Sequence, residues 1–244
     1  MFEPWTPFVA SSLPENETER LTMDANQQVK REVIASYFDH AEARVAFLSE
    51  LDRTDHRSEA MTLCLTYIDS FAQWLCWPRS ASGRNFVEAA LQFGGDELMG
   101  LVHPLQAVQS FQRMNGPWPA LAERVKVAFP GPPHELLPMA TFEERLTPHV
   151  TAAQLTGVQR EAWRATIAHA AYQHLRNPSV HAFGSSDGIY FSRTTFRGAA
   201  VPPLALPQLL GVARGLVGEA RRRSETNGQW FGDDRIVKGD ADEV

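Results

Sequence analysis

Residues 58 to 77, SEAMTLCLTYIDSFAQWLCW, constrain the fold more than any other stretch of the chain. Apolar side chains at helical spacing cover nearly the whole circumference, and Asp69 is the only acid after Glu59. A helix that is apolar all round has to be enclosed by other elements. No uninterrupted apolar stretch in the chain approaches the ~20 residues of a membrane span, so the enclosure is expected to be protein. The reading is a helix inside a bundle, capped at Ser58 and ended by Pro78 and RSASG.

The enclosing elements are also legible as helices. A long amphipathic helix is expected to start near Thr22 or Asp24 and run to about Leu51, with Val29, Val33, Tyr37, Ala41, Val45 and Leu48 as its apolar stripe. Residues 1–21, with three prolines, read as a flexible arm. Between 82 and 134, GG, HP, NGPWP and PGPP divide the chain into short helical pieces that connect rather than form a second domain. TFEER offers a capping box, Thr141 with Glu144. A further helix is expected over 157–175, and a last one opens at Pro207 and closes on ARRR, where arginines complement the helix dipole. IYFSRTTF, bounded by turn residues, predicts a small hairpin or extended excursion. From Ser224 the chain reads as an acidic polar tail. The fold class expected is all-α, with the main helical domain over 22–223.

A formal net charge of −6 means that any nucleic-acid partner is met by a local patch of Lys and Arg, not by the surface as a whole. Cys64 and Cys76 lie twelve apart on one helix, ~18 Å at 1.5 Å per residue. They cannot pair there, and with no Cys/His cluster nearby they read as core thiols of a reducing compartment. The acidic, proline-containing start has no basic region before an apolar run, so no secretory leader is expected. The location expected is the cytoplasm, without membrane association.

The chemistry concentrates in YQHLRNPSVHAFG, residues 172–184. On a straight helix Arg176 and His181 would sit ~140° apart around the axis. Pro178 removes a backbone hydrogen bond and clashes with the preceding turn, so the helix has to kink or restart, which turns the two side chains toward one site. Pro178 also disfavours a helical Asn177, and Asn is a residue type that caps a restarting helix.

RNPSVH fits the motif of an arginine, a polar residue, a short variable run and a histidine that marks HEPN domains, the higher-eukaryote and prokaryote nucleotide-binding helical bundles. CLTYIDSFAQWL resembles a segment of the YIDxLA type in the bacterial members, and YQHLRNPSVH resembles their segment with Tyr, Arg and Val-His. The resemblance spans about residues 25–220. It implies a helical bundle and a metal-independent endoribonuclease, of a toxin or phage-defence type, that uses the RNA 2′-hydroxyl as nucleophile. His181 would be the acid or base near neutral pH and Arg176 the cation for phosphate charge. Asn177 would orient either group, and Asp69 would fix the arginine or the histidine from the neighbouring helix. One Arg and one His make half a site, so the resemblance further implies a homodimer, an RNA substrate and a regulatory partner such as an antitoxin. No cofactor and no metal are implied.

Plainer readings stand beside these. Arg176 is also a residue that complements a helix C-terminus, Asp69 also an acid paired with a structural arginine, and the fold also one that serves as a non-catalytic dimerisation or docking module. His169 and His174 are five apart, not the i, i+4 of helical metal ligands, and no paired acid joins them. Trp74, Trp77, Trp163 and Tyr172 fall at apolar helix positions and read as core. No Gly-rich phosphate loop, Gly-x-Ser-x-Gly or His-Glu-x-x-His supports another enzyme class.

Overall fold

A computed structural model describes residues 15–51, 56–76, 82–95, 97–131, 136–176, 195–196, 199–200 and 206–229. The described chain is predominantly helical: α1 (Glu15–Leu51), α2 (Arg57–Leu75), α3 (Ser82–Phe93), α4 (Glu97–Gly100), α5 (Pro104–Gln112), α6 (Trp118–Ala128), α7 (Met139–Leu146), α8 (Ala152–Glu161), α9 (Ile167–Ala171) and α10 (Leu206–Asn227). The all-α expectation holds. Among the described residues, strands form one antiparallel pair, β1 (Thr195–Phe196) and β2 (Ala199–Ala200), with Thr195 opposite Ala200.

α2 lies at the centre of the larger core, packed by α1, α3, α10 and the turn at 172–176. Cys64, Leu65, Ile68 and Ala72 are fully enclosed. Each buried Leu or Ile of this kind contributes about 1.5–3 kcal/mol relative to an exposed one. Burial also pushes the Cys64 thiol up to about 12, so it stays protonated and inert. Enclosure is not complete, because Leu63, Thr66 and Ser70 form an exposed strip. Thr62 and Thr66 instead donate their hydroxyls to backbone carbonyls four residues earlier. The expected Ser58 cap is not formed. His56 holds the cap position with no side-chain capping bond to the helix backbone, and the Ser58 hydroxyl donates to Glu59 at 3.0 Å.

α1 begins at Glu15, ahead of the expected start near Thr22, so residues 15–21 belong to a helix and not to an arm. Glu15, Glu17 and Glu19 follow Pro14 directly, and acids in the first turns favour a helix start. The expected apolar stripe also shifts. Ile34, Phe38, Ala41, Val45 and Leu48 enter the core with alternating steps of four and three, the spacing of a helix–helix seam. Val29 and Val33 are more than half exposed, and every residue over 25–33 is exposed, because no described element covers the helix there.

The segment between α3 and α9 has a core of its own, in which Val102, Phe111, Leu121, Val125, Phe142, Leu146 and Val158 are enclosed. Val102 ties it to the bundle by pairing with Leu137 on one side and Thr166 on the other. Beside it, the His103 amide donates to the Ala165 carbonyl at 3.0 Å. The expected box at Thr141–Glu144 is absent, because Pro138 starts α7 earlier and leaves Thr141 inside the helix. A capping box does form at Thr151: its hydroxyl accepts from the Gln154 amide at 3.3 Å, and the Gln154 side chain accepts from the Thr151 amide at 2.9 Å.

α10 runs past the expected tail boundary at 224. Ser224 is buried, and the helix closes at Gly228, whose φ of 60° is the left-handed conformation that glycine tolerates. The Gln229 amide donates to the Ser224 carbonyl at 3.1 Å and the Gly228 amide to Glu225 at 3.4 Å, the paired bonds of a Schellman close. Nearer its middle, α10 passes against the end of α3, where a Cβ at Gly215 would lie 3.1 Å from the Phe93 carbonyl carbon. Arg221 fastens α10 to α1 through Asp39 at 2.8 Å and Glu42 at 3.1 Å.

His103 gives the molecule a definite acid sensitivity. Burial holds its imidazole pKa down to about 4, against an ordinary value near 6.5. The unfolded chain therefore binds a proton at a pH where the folded chain does not, and stability present above 6.5 is lost as pH falls toward 4. The loss is on the order of 2 kcal/mol. His103→Leu should flatten urea-unfolding free energy between pH 7.5 and 4.5; a slope as steep as wild type would show that other groups set it.

Candidate functional site

The helix expected over 157–175 is broken into parts, and the break shapes the site. α8 ends at Glu161, a 3-10 turn spans Ala162–Ala165, and α9 restarts at Ile167. Thr166 is the cause. Its backbone leaves the helix to pair with Val102, while its hydroxyl accepts from the His169 amide at 3.2 Å and caps the new helix. After Ala171 the chain winds as a π-helix over Tyr172–Arg176. The change of pitch thus begins before Pro178. π turns of this kind set a side chain at an angle that an α-helix does not reach, and they recur at functional sites.

Arg176 ends that turn. Its Nη2 donates to Asp69 Oδ2 at 2.6 Å, joining side chains 107 positions apart in the sequence. The two are 13% and 16% exposed, so the pair lies at the edge of the core and is reached by little water. A charge-assisted bond of that length in partial burial is stronger than its surface counterpart. The guanidinium carbon stands 5.4 Å from the centroid of the Tyr172 ring, within cation–π range. Tyr172 in turn packs on Phe86 with centroids 5.4 Å apart, over Gly83, where a Cβ would lie 2.7 Å from its ring. Glycine at 83 leaves room for the ring on which the arginine rests.

Behind Asp69 the polar contacts continue. Gln73, one turn along the same face of α2, donates to Asp69 Oδ1 at 3.5 Å. Asn85, fully buried on α3, donates to Gln73 Oε1 at 2.9 Å. Of the sequence-predicted residues, Asp69 and Arg176 are brought together; Asn177 and His181 lie outside the described residues. Gln73 and Asn85 are not among the residues the sequence singles out, and Tyr172 is there a core residue alone. Gln73 had a signal, since it follows the only interior acid of α2 by four. Asn85 had a weak one, as an amide in an otherwise amphipathic helix.

His169 is buried, its ring packed edge-on against Trp163 at 5.0 Å. Its Nδ1 lies 2.7 Å from the Arg164 carbonyl, which can only accept, so that nitrogen carries the proton. Among the described residues, no group of three or more His, Cys, Asp and Glu side chains is placed to hold a metal ion. No described helix is long and apolar enough to cross a membrane.

No protein-family model, curated protein or solved structure matches this chain. Asp69→Ala should cost about 2 kcal/mol of stability, less than for a fully enclosed pair because both groups touch water. Double-mutant cycles with Arg176→Ala should show the two losses overlapping by more than half; simple additivity would mean that the pair is not coupled.

Proposed function

We propose that the chain is a metal-independent endoribonuclease of HEPN type, the kind of activity that serves toxin–antitoxin or phage-defence systems. The observation that carries the reading is the 2.6 Å contact between Asp69 and Arg176. A phosphate-binding arginine needs a fixed guanidinium, and the carboxylate, the Tyr172 face and the π turn together fix this one. His181, five residues on, supplies a group that moves protons near pH 7.

In this reading the RNA 2′-hydroxyl attacks the adjacent phosphorus while an imidazole accepts its proton. The non-bridging oxygens gain charge that Arg176 neutralises, Asn177 orients the reacting groups, and the 5′-oxygen leaves with a proton from an imidazole. Two such half-sites meet across a homodimer, and an antitoxin or similar regulatory protein restrains them. Purified protein incubated with single-stranded RNA in EDTA should leave 2′,3′-cyclic phosphate or 3′-phosphate ends and 5′-hydroxyls. Absence of cleavage across several RNAs, or a requirement for a divalent ion, overturns the reading.

A second reading, a docking module with no catalysis, is favoured by the same pair: an Arg176 side chain only 13% exposed is placed as a structural arginine would be. The RNA assay separates the two.

A further inference from the structure

Asn85 has no access to solvent, yet its side chain is polar. A carboxamide removed from water is unfavourable unless its hydrogen bonds are remade, and an aliphatic side chain of similar volume fills the space without that requirement. Packing alone does not call for an amide here. One hydrogen bond of Asn85 leads to the candidate site. Asn85 Nδ2 donates to Gln73 Oε1 at 2.9 Å, Gln73 Nε2 donates to Asp69 Oδ1 at 3.5 Å, and Asp69 Oδ2 accepts from Arg176 Nη2 at 2.6 Å.

The order of donors matters. Because Asn85 occupies the carbonyl end of the Gln73 amide, the end facing Asp69 is the NH2, which only donates. A glutamine turned the other way would set its carbonyl against the carboxylate, acceptor against acceptor. Asn85 thus sets the sense of Gln73, Gln73 holds one oxygen of Asp69, and the other oxygen is left directed at the guanidinium. The longest link, at 3.5 Å, is the one that Asn85 steadies from behind. Satisfied chains of this kind in a low-dielectric setting reinforce one another and restrict rotamers.

We propose that Gln73 and Asn85 are positioning residues for Arg176, two carboxamides from different helices that hold Asp69 in the rotamer that seats the guanidinium over Tyr172. The seating stands on geometry; its effect on RNA cleavage rests on the ribonuclease reading. Both side chains act through Asp69 and not on substrate. A guanidinium set in advance needs no reorganisation when phosphate charge develops, so loosening it lowers kcat and leaves KM unchanged.

The test uses the full-length protein with Gln73→Met, which keeps length and fills space flexibly, and Asn85→Ala, each also made in an Arg176→Lys background. NMR reads solvent exchange at the Arg176 Nε–H, independent of activity. Losing one relay bond should speed exchange about tenfold in both single variants. Cleavage should lose about tenfold in kcat, and that loss should vanish in the Arg176→Lys background, where the seat no longer serves a bidentate group. Unchanged exchange, or equal kcat losses in both backgrounds, overturns the proposal. Should wild type cleave no RNA while exchange still accelerates, the ribonuclease reading falls and the seating of Arg176 is supported. If Asn85→Ala does not fold, Gln73→Met carries the same comparison alone.

Discussion

His181→Ala is expected to lower RNA cleavage by ~10²–10⁴-fold, the range that a positioned acid or base contributes. Within RNPSVH His181 is the only imidazole, and neither an arginine nor an asparagine exchanges protons readily near neutral pH. Fold stability should hardly change, which separates a chemical role from a packed one. Arg176→Ala should lose cleavage and also some stability, because it strands the Asp69 carboxylate at the edge of the core. Arg176→Lys is the sharper variant: it keeps the charge and a partner for Asp69, but lacks the fork that matches two phosphate oxygens. Loss of activity in Arg176→Lys with an unchanged unfolding midpoint supports phosphate recognition by the guanidinium. Full activity there, or unfolding of both alanine variants together with their activity, points instead to the docking module.

The largest effect on stability is expected at Gly215. A glycine in a helix interior ordinarily costs about 0.5–1 kcal/mol relative to alanine, so replacing one should help. Gly211 and Gly218 follow that rule, since a Cβ at either meets nothing within 4 Å. Gly215 reverses it. A Cβ there runs into the Phe93 carbonyl oxygen, with Gly94 Cα 3.3 Å away, and backbone cannot swing aside as a side-chain tip can. The helices must separate, and α10, whose Val212, Leu216 and Val217 are enclosed, loses part of its packing on α2 and α3. Gly215→Val should therefore cost more than about 4 kcal/mol, in the exceptional range for one substitution. Gly211→Ala and Gly218→Ala should each gain up to about 1 kcal/mol. Urea denaturation of the three variants measures this directly, and a stable Gly215→Val would disprove the close crossing.

What the sequence disclosed follows the reach of each interaction. The all-round apolar pattern of α2 was readable because enclosure is written into a single helix. The start of α10 beside Pro207 was readable for a similar local reason. Thr151-x-x-Gln154 and Thr141-x-x-Glu144 look equally good as capping boxes, and only the start of α7 at Pro138 decides between them. The break at Thr166 depends on a partner strand segment at Val102, more than sixty residues away, which no window around Thr166 contains. Asp69 and Arg176 were visible as residue types, but their contact is a tertiary fact. Asn85 was invisible as a partner, because its meaning depends on which face of α3 meets α2.

The π turn over Tyr172–Arg176 makes this region sensitive to length in a way that side-chain substitution does not reveal. Helical phase is cumulative: each residue added or removed rotates everything beyond it by about 100°. The packing of α9 is set by residues up to Ala171, and the turn then gives Arg176 its own angular offset from that packed face. A π turn takes about one residue more than an α turn to cover the same rotation, so loss of one residue inside it restores ordinary winding and keeps the guanidinium near its angle, whereas loss of a second carries it about 100° around the axis, away from Asp69. Related chains with two residues fewer between the counterparts of Ala171 and Arg176 would keep the bundle and lose the ion pair, so the spacing there, more than the identity of the arginine, distinguishes chains able to share this site.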